Sequence, residues 1–236
     1  MKMAKYTDLF IDYDDTLYDT YGNAVIALKE AFELFHLERY FPDPQVFYDE
    51  YWKTNIGLWT QYSKGEINRD TLILERFRRP LSVGMGEDAT KEKCLEISDR
   101  FLDLCASKPG VVSGAHELMQ YLQRRGYRMH MCSNGFHEVQ YKKLEASHMR
   151  DYFHTIILSE DAGANKPSRL FFDYAFKITG ASPASTLMIG DNLQTDIMGA
   201  QGAGLDTIFY NRFPEHEKSQ IATYSVTRLK DIMQIL

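Results

Sequence analysis

Short apolar segments recur along the chain, separated by stretches in which apolar residues have helical spacing. Each segment is nearly continuous and lacks the alternation of a strand with one wet face. Such runs are typical of parallel strands covered on both faces. We therefore predict five strands, at residues 8–11, 128–132, 155–158, 186–189 and 207–209.

Helical patterns lie between these strands. Ser113 is predicted to cap a helix that Gly126 ends, with an apolar face of Leu118, Met119 and Leu122. Another helix is predicted to open at Pro167 and to carry Phe171, Phe172, Ala175 and Phe176. The alternation of strands and helices predicts an α/β fold with a doubly wound, Rossmann-like parallel sheet.

One long interruption separates the first predicted strand from the second. Residues 19–105 show helical spacing and many aromatic side chains, and no part of this stretch has a strand pattern. We interpret it as an inserted all-helical cap domain, with residues 1–18 and 106–236 forming the α/β core. Gly22 and Pro109-Gly110, near its two ends, are the predicted hinges.

Composition and charge narrow the possible partners. The chain has 236 residues, of which 44% are hydrophobic and 25% charged, an ordinary globular composition. Its net charge of −6 disfavours a nucleic-acid polymer, because such binding depends on lysine and arginine at phosphates. A small phosphorylated ligand remains compatible with this charge if a metal ion offsets the repulsion.

Cysteine usage and the first residues bear on location. Cys94, Cys105 and Cys132 lack metal-ligand spacing and form no even set, which indicates reduced thiols. No apolar stretch is long enough to cross a bilayer, and the first residues lead into an acidic strand end rather than a signal peptide. We expect a cytoplasmic protein without a membrane partner, as a monomer or small homo-oligomer.

Acidic side chains gather where two predicted strands end, the edge at which open α/β sheets bind ligands. Asp12, Asp14 and Asp15 follow the first strand, and carboxylates this close repel unless a cation or a catalytic task offsets the cost. Asp191 and Asp196 follow the fourth strand and, with Asp12, form an oxygen-ligand set suited to Mg²⁺. The alternatives are that the three aspartates after the first strand form a solvated turn, that Asp191 caps a helix, and that Asp196 is an ordinary acid in the first turn of that helix.

Two further segments at this edge carry candidate phosphate ligands. Ser133 can simply cap a helix, but the same turn can bind phosphate oxygens through its hydroxyl and free amides, with Gly135 allowing close approach. Lys166 can be an ordinary exposed lysine. A cation beside a helix starting at Pro167 is nevertheless unfavourable, which favours a compensating phosphate or carboxylate.

In chain order, these segments resemble the four motifs of the haloacid dehalogenase-like hydrolase superfamily. The matching residues are Asp12-Tyr13-Asp14-Asp15-Thr16-Leu17, Ser133-Asn134-Gly135, Lys166-Pro167 and Gly190-Asp191 through Asp196. The insertion after the first motif is similar to the helical cap of that superfamily. The resemblance implies a nucleophile at Asp12 that forms an aspartyl-phosphate. It also implies that Asp14 protonates the leaving oxygen and later activates water.

The same resemblance implies the ligand contacts. Mg²⁺ would be bound by Asp12, the Asp14 carbonyl and Asp191, with Asp196 a ligand through water or a support. Lys166 would hold phosphate and serve catalysis. The predicted substrate-binding set includes it together with Thr16, Ser133, Asn134 and Gly135. Elementary electrostatics agrees, because a carboxylate that attacks a phosphate needs its charge offset by the metal and Lys166.

Residues 55–67 and Ser133-Asn134-Gly135-Phe136 further resemble the housecleaning pyrimidine 5'-nucleotidase branch, which implies nucleoside monophosphates as substrates. Aromatic rings can stack on a base, although most rings of the insertion are expected to pack its helices together. Trp59 is the predicted substrate-binding ring.

Other functions remain open. They are a sugar-phosphate phosphatase or phosphomutase, a 2-haloacid dehalogenase and a noncatalytic binding protein. A dehalogenase has no use for the acid at Asp14, because halide leaves without a proton. A noncatalytic protein is disfavoured because no catalytic position has been lost.

Overall fold

The computed structural model describes residues 5–213 and 221–236, and the chain divides into two compact units. One unit holds the residues up to Thr20 together with Pro109–Leu236, and the other is Tyr21–Lys108. Within the first unit, the Asp19 amide donates to the Gly110 carbonyl at 3.1 Å. Within the second unit, the Lys108 ammonium pairs with Glu30 at 2.6 Å.

Helices build the second unit. They are α1 (Thr20–Leu34), which begins at the last residue of the first unit, α2 (Pro44–Ser63), α3 (Arg69–Met85) and α4 (Lys91–Ala106). Asp43, Asn68 and Thr90 cap the last three by accepting main-chain N–H bonds. Described residues 21–108 contain no strand, so the predicted all-helical insertion is confirmed.

Aromatic rings fill the interior of the helical unit. The Tyr51 ring lies 5.2 Å from that of Phe77 and 5.4 Å from that of Phe101, measured between centroids. All three are buried, so they join helices α2, α3 and α4 into one core. Packing is thus the role of these rings.

A parallel sheet forms the centre of the first unit. Its strands are β1 (Asp8–Ile11), β2 (Arg128–Ser133), β3 (Thr155–Leu158), β4 (Thr186–Gly190), β5 (Asp206–Tyr210) and β6 (Tyr224–Val226). They lie in the order β3-β2-β1-β4-β5-β6, and every neighbouring pair is parallel. The five predicted strands and the doubly wound α/β fold are confirmed. The sequence pattern missed β6 because only Val226 of its residues is buried.

Helices cover both faces of this sheet. They are α5 (Ala115–Arg124), α6 (His137–Ala146), α7 (Ser159–Ala162), α8 (Arg169–Thr179) and α9 (Gly199–Gly202), with a π-helical turn at Leu193–Met198. Short 3-10 turns lie at Leu37–Arg39, Gly86–Asp88, Arg150–Tyr152, Pro183–Ser185 and Leu229–Gln234. Successive residues of β1 enter different layers: Leu9 and Ile11 join the core that includes α5, and Phe10 joins the core that includes α8. Burial on both faces explains the nearly continuous apolar strands.

Two predicted helix starts are wrong. The N-cap of α5 is Gly114, not Ser113, because the chain turns there with φ at 85°, a conformation that glycine adopts freely. Helix α8 begins at Arg169 rather than at Pro167, because the hydroxyl of Ser168 accepts from the Leu170 amide at 3.3 Å and caps the helix. No helix among the described residues is long and apolar enough to cross a bilayer.

Candidate active site

The parallel register brings the ends of three strands to one edge. Ile11 of β1 pairs with Met131 of β2 and with Ile189 of β4, so the residues that follow them meet. The chain leaves β1 towards β2 and β3, and later returns to add β4 on the other side. Such a topological switch point leaves a crevice at the carboxyl end, where open α/β sheets bind ligands.

A buried lysine joins two of the predicted aspartates. The Lys166 Nζ atom lies 2.7 Å from Asp12 Oδ1, from Asp196 Oδ1 and from the carbonyl oxygen of Cys132. Burial acts to lower the pKa of Lys166, but the charges of Asp12 and Asp196 outweigh it and raise that pKa. Lys166 is therefore a permanent cation, and its side chain is not an exposed surface group.

Lys166 has the negative partner that was predicted for it, but for a different reason. The helix that follows starts at Arg169, not at Pro167, so its dipole does not explain why Lys166 has a negative partner. Asp12 and Asp196 supply the compensating negative charge. Asn134 holds the main chain of Lys166 from both sides: its Nδ2 donates to the carbonyl at 2.9 Å, and its Oδ1 accepts from the amide at 2.8 Å. The Asn134 side chain, predicted to bind substrate, thus binds the main chain of Lys166.

Asp12 lies between two hydrogen-bond donors. Its Oδ1 accepts from Lys166, and its Oδ2 accepts from the Thr16 hydroxyl at 2.9 Å. Burial raises the pKa of the Asp12 carboxyl; Lys166 opposes this shift, and the charges of Asp196 and Asp14 add to it. The carboxylate is therefore rigidly oriented and in need of further positive charge.

Asp191 completes an acidic cluster with Asp12 and Asp196. Single carboxylate oxygens of the three lie within 4.8 Å of one another. Among the described residues no ammonium or guanidinium pairs with Asp191. Its carboxylate contacts one side-chain donor, the Thr16 hydroxyl at 3.2 Å, whose single hydrogen is shared with Asp12 at 2.9 Å. Burial, followed by the charges of Asp12 and Asp196, raises the pKa of Asp191 well above its ordinary value. Three carboxylates that share a single cation, Lys166, form a set of oxygen donors that fits a hard divalent cation.

The two oxygens of Asp196 are already engaged. Oδ1 accepts from Lys166, and Oδ2 accepts from the Asn192 amide at 3.1 Å. The Asn192 side chain, rather than that of Asp191, caps the π-helical turn on which Asp196 lies. This arrangement favours the supporting role among the two that the resemblance implies for Asp196.

The Asp14 carboxylate binds three side chains that were not among the predicted site residues. Its Oδ1 accepts from the Thr20 hydroxyl at 2.5 Å and pairs with the Lys143 ammonium. Its Oδ2 accepts from Gln140 Nε2 at 2.6 Å and has a long contact of 3.5 Å with the Ser133 hydroxyl. Burial alone would raise the pKa of Asp14, but Lys143 and these hydrogen bonds lower it. The carboxyl group is ionised in this arrangement.

Gly135 makes room for one of these contacts. A Cβ atom at this position would lie 1.7 Å from Gln140 Nε2, which is buried. The Gly135 amide also donates to the Ser133 hydroxyl at 2.9 Å. The close approach predicted for Gly135 is therefore made by Gln140 in this structure.

Sequence reasoning missed Gln140, Lys143 and Arg212. The buried stripe of α6 contains Val139, Gln140, Lys143 and Leu144, so two polar residues interrupt an apolar face, a signal that could have been noticed. Arg212, two residues after the end of β5, donates to Asp15 at 2.6 Å and to Asp19 at 2.5 Å. No local pattern identifies Arg212, because both partners are far away in the sequence.

Trp59 lies on α2 of the helical unit. It is half-buried, and its ring meets that of Tyr62 edge-on, with 5.6 Å between the centroids. This contact holds the indole in place and leaves part of it accessible.

Comparisons with known proteins agree with this geometry. HAD-hydrolase YfnB of Bacillus subtilis is 32% identical over 236 residues, covering 99% of this chain and 97% of YfnB. A crystal structure of YfnB bound to magnesium superposes with a TM-score of 0.85 and covers 99% of both chains at 30% identity. Pyrimidine 5'-nucleotidase PynA of Streptococcus pneumoniae is 32% identical over 98% of this chain and 95% of its own. Residues 9–204 match the family of haloacid dehalogenase-like hydrolases. With its four motifs assembled at one edge of a parallel sheet, the chain therefore belongs to the haloacid dehalogenase-like hydrolase family.

Proposed function

We propose that this protein is a Mg²⁺-dependent phosphatase that hydrolyses a small phosphomonoester, a nucleoside 5'-monophosphate, through an aspartyl-phosphate. One observation carries the proposal: Asp12 is oriented from both sides, by Lys166 and by Thr16, within a cluster of carboxylates that has too little positive charge. A nucleophilic carboxylate beside a cation site is what phosphoryl transfer to an aspartate requires.

Asp12 and Asp191 would hold the metal directly, joined by the Asp14 carbonyl that the family resemblance implies. Asp196 would act as a support, because the protein already occupies both of its oxygens. When bound, Mg²⁺ supplies the positive charge that lets an anionic nucleophile approach an anionic phosphate. Lys166 supplies a second, fixed positive charge at the same carboxylate.

In the first half-reaction, a bond forms between an Asp12 oxygen and phosphorus while the bond to the leaving oxygen breaks. Ser133 would hold a phosphate oxygen, and Asp14 would give the leaving oxygen a proton. In the second half-reaction, water gives a proton to Asp14 and forms a bond to phosphorus while the bond between phosphorus and the Asp12 oxygen breaks, which releases phosphate and regenerates the Asp12 carboxylate. The ionised Asp14 of this structure suits the second step, and the first requires that it take up a proton when substrate is bound.

The nucleotide part of the proposal rests on PynA, whose name describes a pyrimidine 5'-nucleotidase. Trp59 offers a partly accessible ring for a base. Trp59→Ala should lower kcat/KM for nucleotides by about 1–3 kcal/mol if stacking is the main contact, and should spare p-nitrophenyl phosphate. Thermal unfolding of the variant must be measured alongside, because Trp59 also packs against Tyr62.

A cytoplasmic setting is part of the proposal. Cys94, Cys105 and Cys132 support it, since all three are buried and none of them forms a disulfide.

The decisive experiment is a phosphatase screen of the purified protein with Mg²⁺, over nucleoside monophosphates, sugar phosphates and p-nitrophenyl phosphate, repeated after exhaustive chelation. We expect turnover that disappears on chelation and returns with Mg²⁺, with pyrimidine monophosphates the best substrates. Full activity without metal would contradict the mechanism. Much faster turnover of sugar phosphates would overturn only the nucleotide assignment.

A further inference from the structure

Helix α6 contributes two polar side chains to the site, and both reach Asp14. Gln140 and Lys143 are three residues apart, on the same face of the helix, and both are buried. The Gln140 amide donates to Asp14 Oδ2 at 2.6 Å, and the Lys143 ammonium pairs with Oδ1.

The surroundings of these two side chains are built to hold them. The Tyr13 hydroxyl donates to the Lys143 carbonyl at 3.3 Å, and the Lys143 ammonium lies 5.1 Å from the centre of the Tyr18 ring. Position 135 is a glycine, and any side chain there would collide with the Gln140 amide. Tyr13 thus holds the main chain at Lys143, and the lack of a side chain at position 135 leaves room for the Gln140 amide.

The contact with Gln140 comes at a cost to the fold. Its Oε1 atom is buried and has no hydrogen-bond partner among the described residues. A buried amide of this kind is destabilising where only half of it is satisfied, and an apolar side chain of similar size would avoid the cost. What glutamine supplies here, and an apolar side chain of similar size could not, is the donor to Asp14.

The result is a carboxyl group held at both oxygens. Each oxygen of Asp14 has two partners: Thr20 and Lys143 at Oδ1, and Gln140 and Ser133 at Oδ2. An ionised carboxyl group offers about four lone-pair positions; the three short bonds occupy three of them, and the long contact to Ser133, at 3.5 Å, leaves the fourth open to a leaving oxygen or a water. Two of the four partners come from α6.

From this geometry we infer that Gln140 and Lys143 are positioning residues that fix the Asp14 carboxyl group and thereby set how strongly turnover depends on the leaving group. The inference rests on the proposed phosphatase function. A misplaced carboxyl group should matter for a sugar hydroxyl, which needs help to leave, and little for nitrophenolate, which does not.

The test compares kcat and KM for two substrates at saturating Mg²⁺. They are p-nitrophenyl phosphate and the nucleoside monophosphate that the wild-type enzyme hydrolyses most efficiently. Gln140→Leu keeps the size of the side chain and removes the donor, whereas Gln140→Asn keeps the amide and shortens its reach. We expect both to lower kcat for the nucleotide by about 10- to 100-fold, with p-nitrophenyl phosphate changed by less than about 3-fold and KM nearly constant.

Lys143 provides an independent pair of variants. Lys143→Met should show the same split between the two substrates, and Lys143→Arg should recover part of the nucleotide turnover because it restores a cation that can bind the carboxylate. Lys142→Met, at the neighbouring exposed position of α6, is the matched control and should leave both substrates unchanged. Circular dichroism and thermal melting establish that each variant is folded.

The outcomes separate the two claims. Equal loss for both substrates, or no loss for either, overturns the inference while the wild-type activity upholds the proposed function. If the Gln140 variants fail to fold, the Lys143 pair decides: the expected split with recovery in Lys143→Arg supports the inference, and its absence overturns it. A wild-type protein that hydrolyses no phosphomonoester refutes the proposed function and the inference with it.

Discussion

Replacing Asp191 by asparagine should stabilise the metal-free protein and at the same time remove its response to Mg²⁺. The Asp191 carboxylate lies within 4.8 Å of oxygens of Asp12 and Asp196 and has no cation of its own among the described residues. Lys166 cancels one of the two neighbouring charges. Asp191 therefore faces a net charge of about −1, and Asp191→Asn removes this repulsion while preserving the shape of the side chain.

The magnitude follows from that separation. At an effective dielectric constant of about 20, two like charges about 5 Å apart repel by about 3 kcal/mol. Because Asp191 is only half-buried, solvent screens part of this repulsion, and we expect a gain of about 1–3 kcal/mol. For a domain of this size the gain raises the melting temperature by roughly 3 °C per kcal/mol.

The difference should depend on pH. Because burial and the charges of Asp12 and Asp196 raise the pKa of Asp191, the native state holds that proton more tightly than the unfolded chain does. In the wild type, the contribution of protonated Asp191 to the free energy of unfolding is therefore fully present below about pH 4. It is lost as the pH rises through the raised pKa of Asp191. The asparagine variant has no such loss, so its advantage should widen as pH increases.

The assay is thermal unfolding with and without Mg²⁺, for wild type, Asp191→Asn and a control. Wild type should gain about 2.7 kcal/mol when Mg²⁺ is present at about 100 times its Kd, and the variant should gain much less. Asp173→Asn is the matched control: it removes an exposed acid that pairs with Arg169 at 2.7 Å, and should change stability by less than about 0.5 kcal/mol. A variant less stable than wild type without metal, or an equal gain from Mg²⁺ in both, would refute the reasoning.

Three further substitutions test other parts of the structure. Asp12→Asn should lower turnover by more than about 10³-fold and leave a folded protein, measured by kinetics and circular dichroism, because it removes only the nucleophile. Asp14→Asn should slow nucleotide hydrolysis by about 10²–10⁴-fold and p-nitrophenyl phosphate far less; equal slowing would contradict its role as an acid. Asp8→Asn should cost about 2–3 kcal/mol in urea unfolding, because this buried carboxylate accepts from Thr7 at 2.8 Å, from Arg128 at 2.8 Å and contacts His130 at 3.0 Å. An unchanged unfolding midpoint would show that these bonds contribute little.

The apolar pattern of the chain is enough to predict the sheet and the meeting of acidic side chains at the ends of its strands. Strands buried on both faces must be apolar throughout. A run such as Leu9, Phe10 and Ile11 therefore predicts a strand even when the residues that pack against it are unknown. Parallel strands then end at one edge, and for that reason Asp12 and Asp191 could be expected to meet although they are far apart in the chain. The edge strand β6 escaped because it is short and mostly exposed.

Which groups pair depends on the folded chain. The helical spacing of Val139, Lys143 and Leu144 indicates that Lys143, unlike the exposed Lys142, lies on the buried face of α6, but it does not identify the partner, the Asp14 carboxylate that follows β1. The same holds for Arg212, which follows β5 and pairs with Asp15 and Asp19, both of which follow β1. Hydrophobic pattern reports burial one residue at a time, whereas an ion pair depends on the distance between two side chains in space. The sequence therefore identified the carboxylates. Which cation pairs with each of them depends on the fold, and among the described residues none pairs with Asp191.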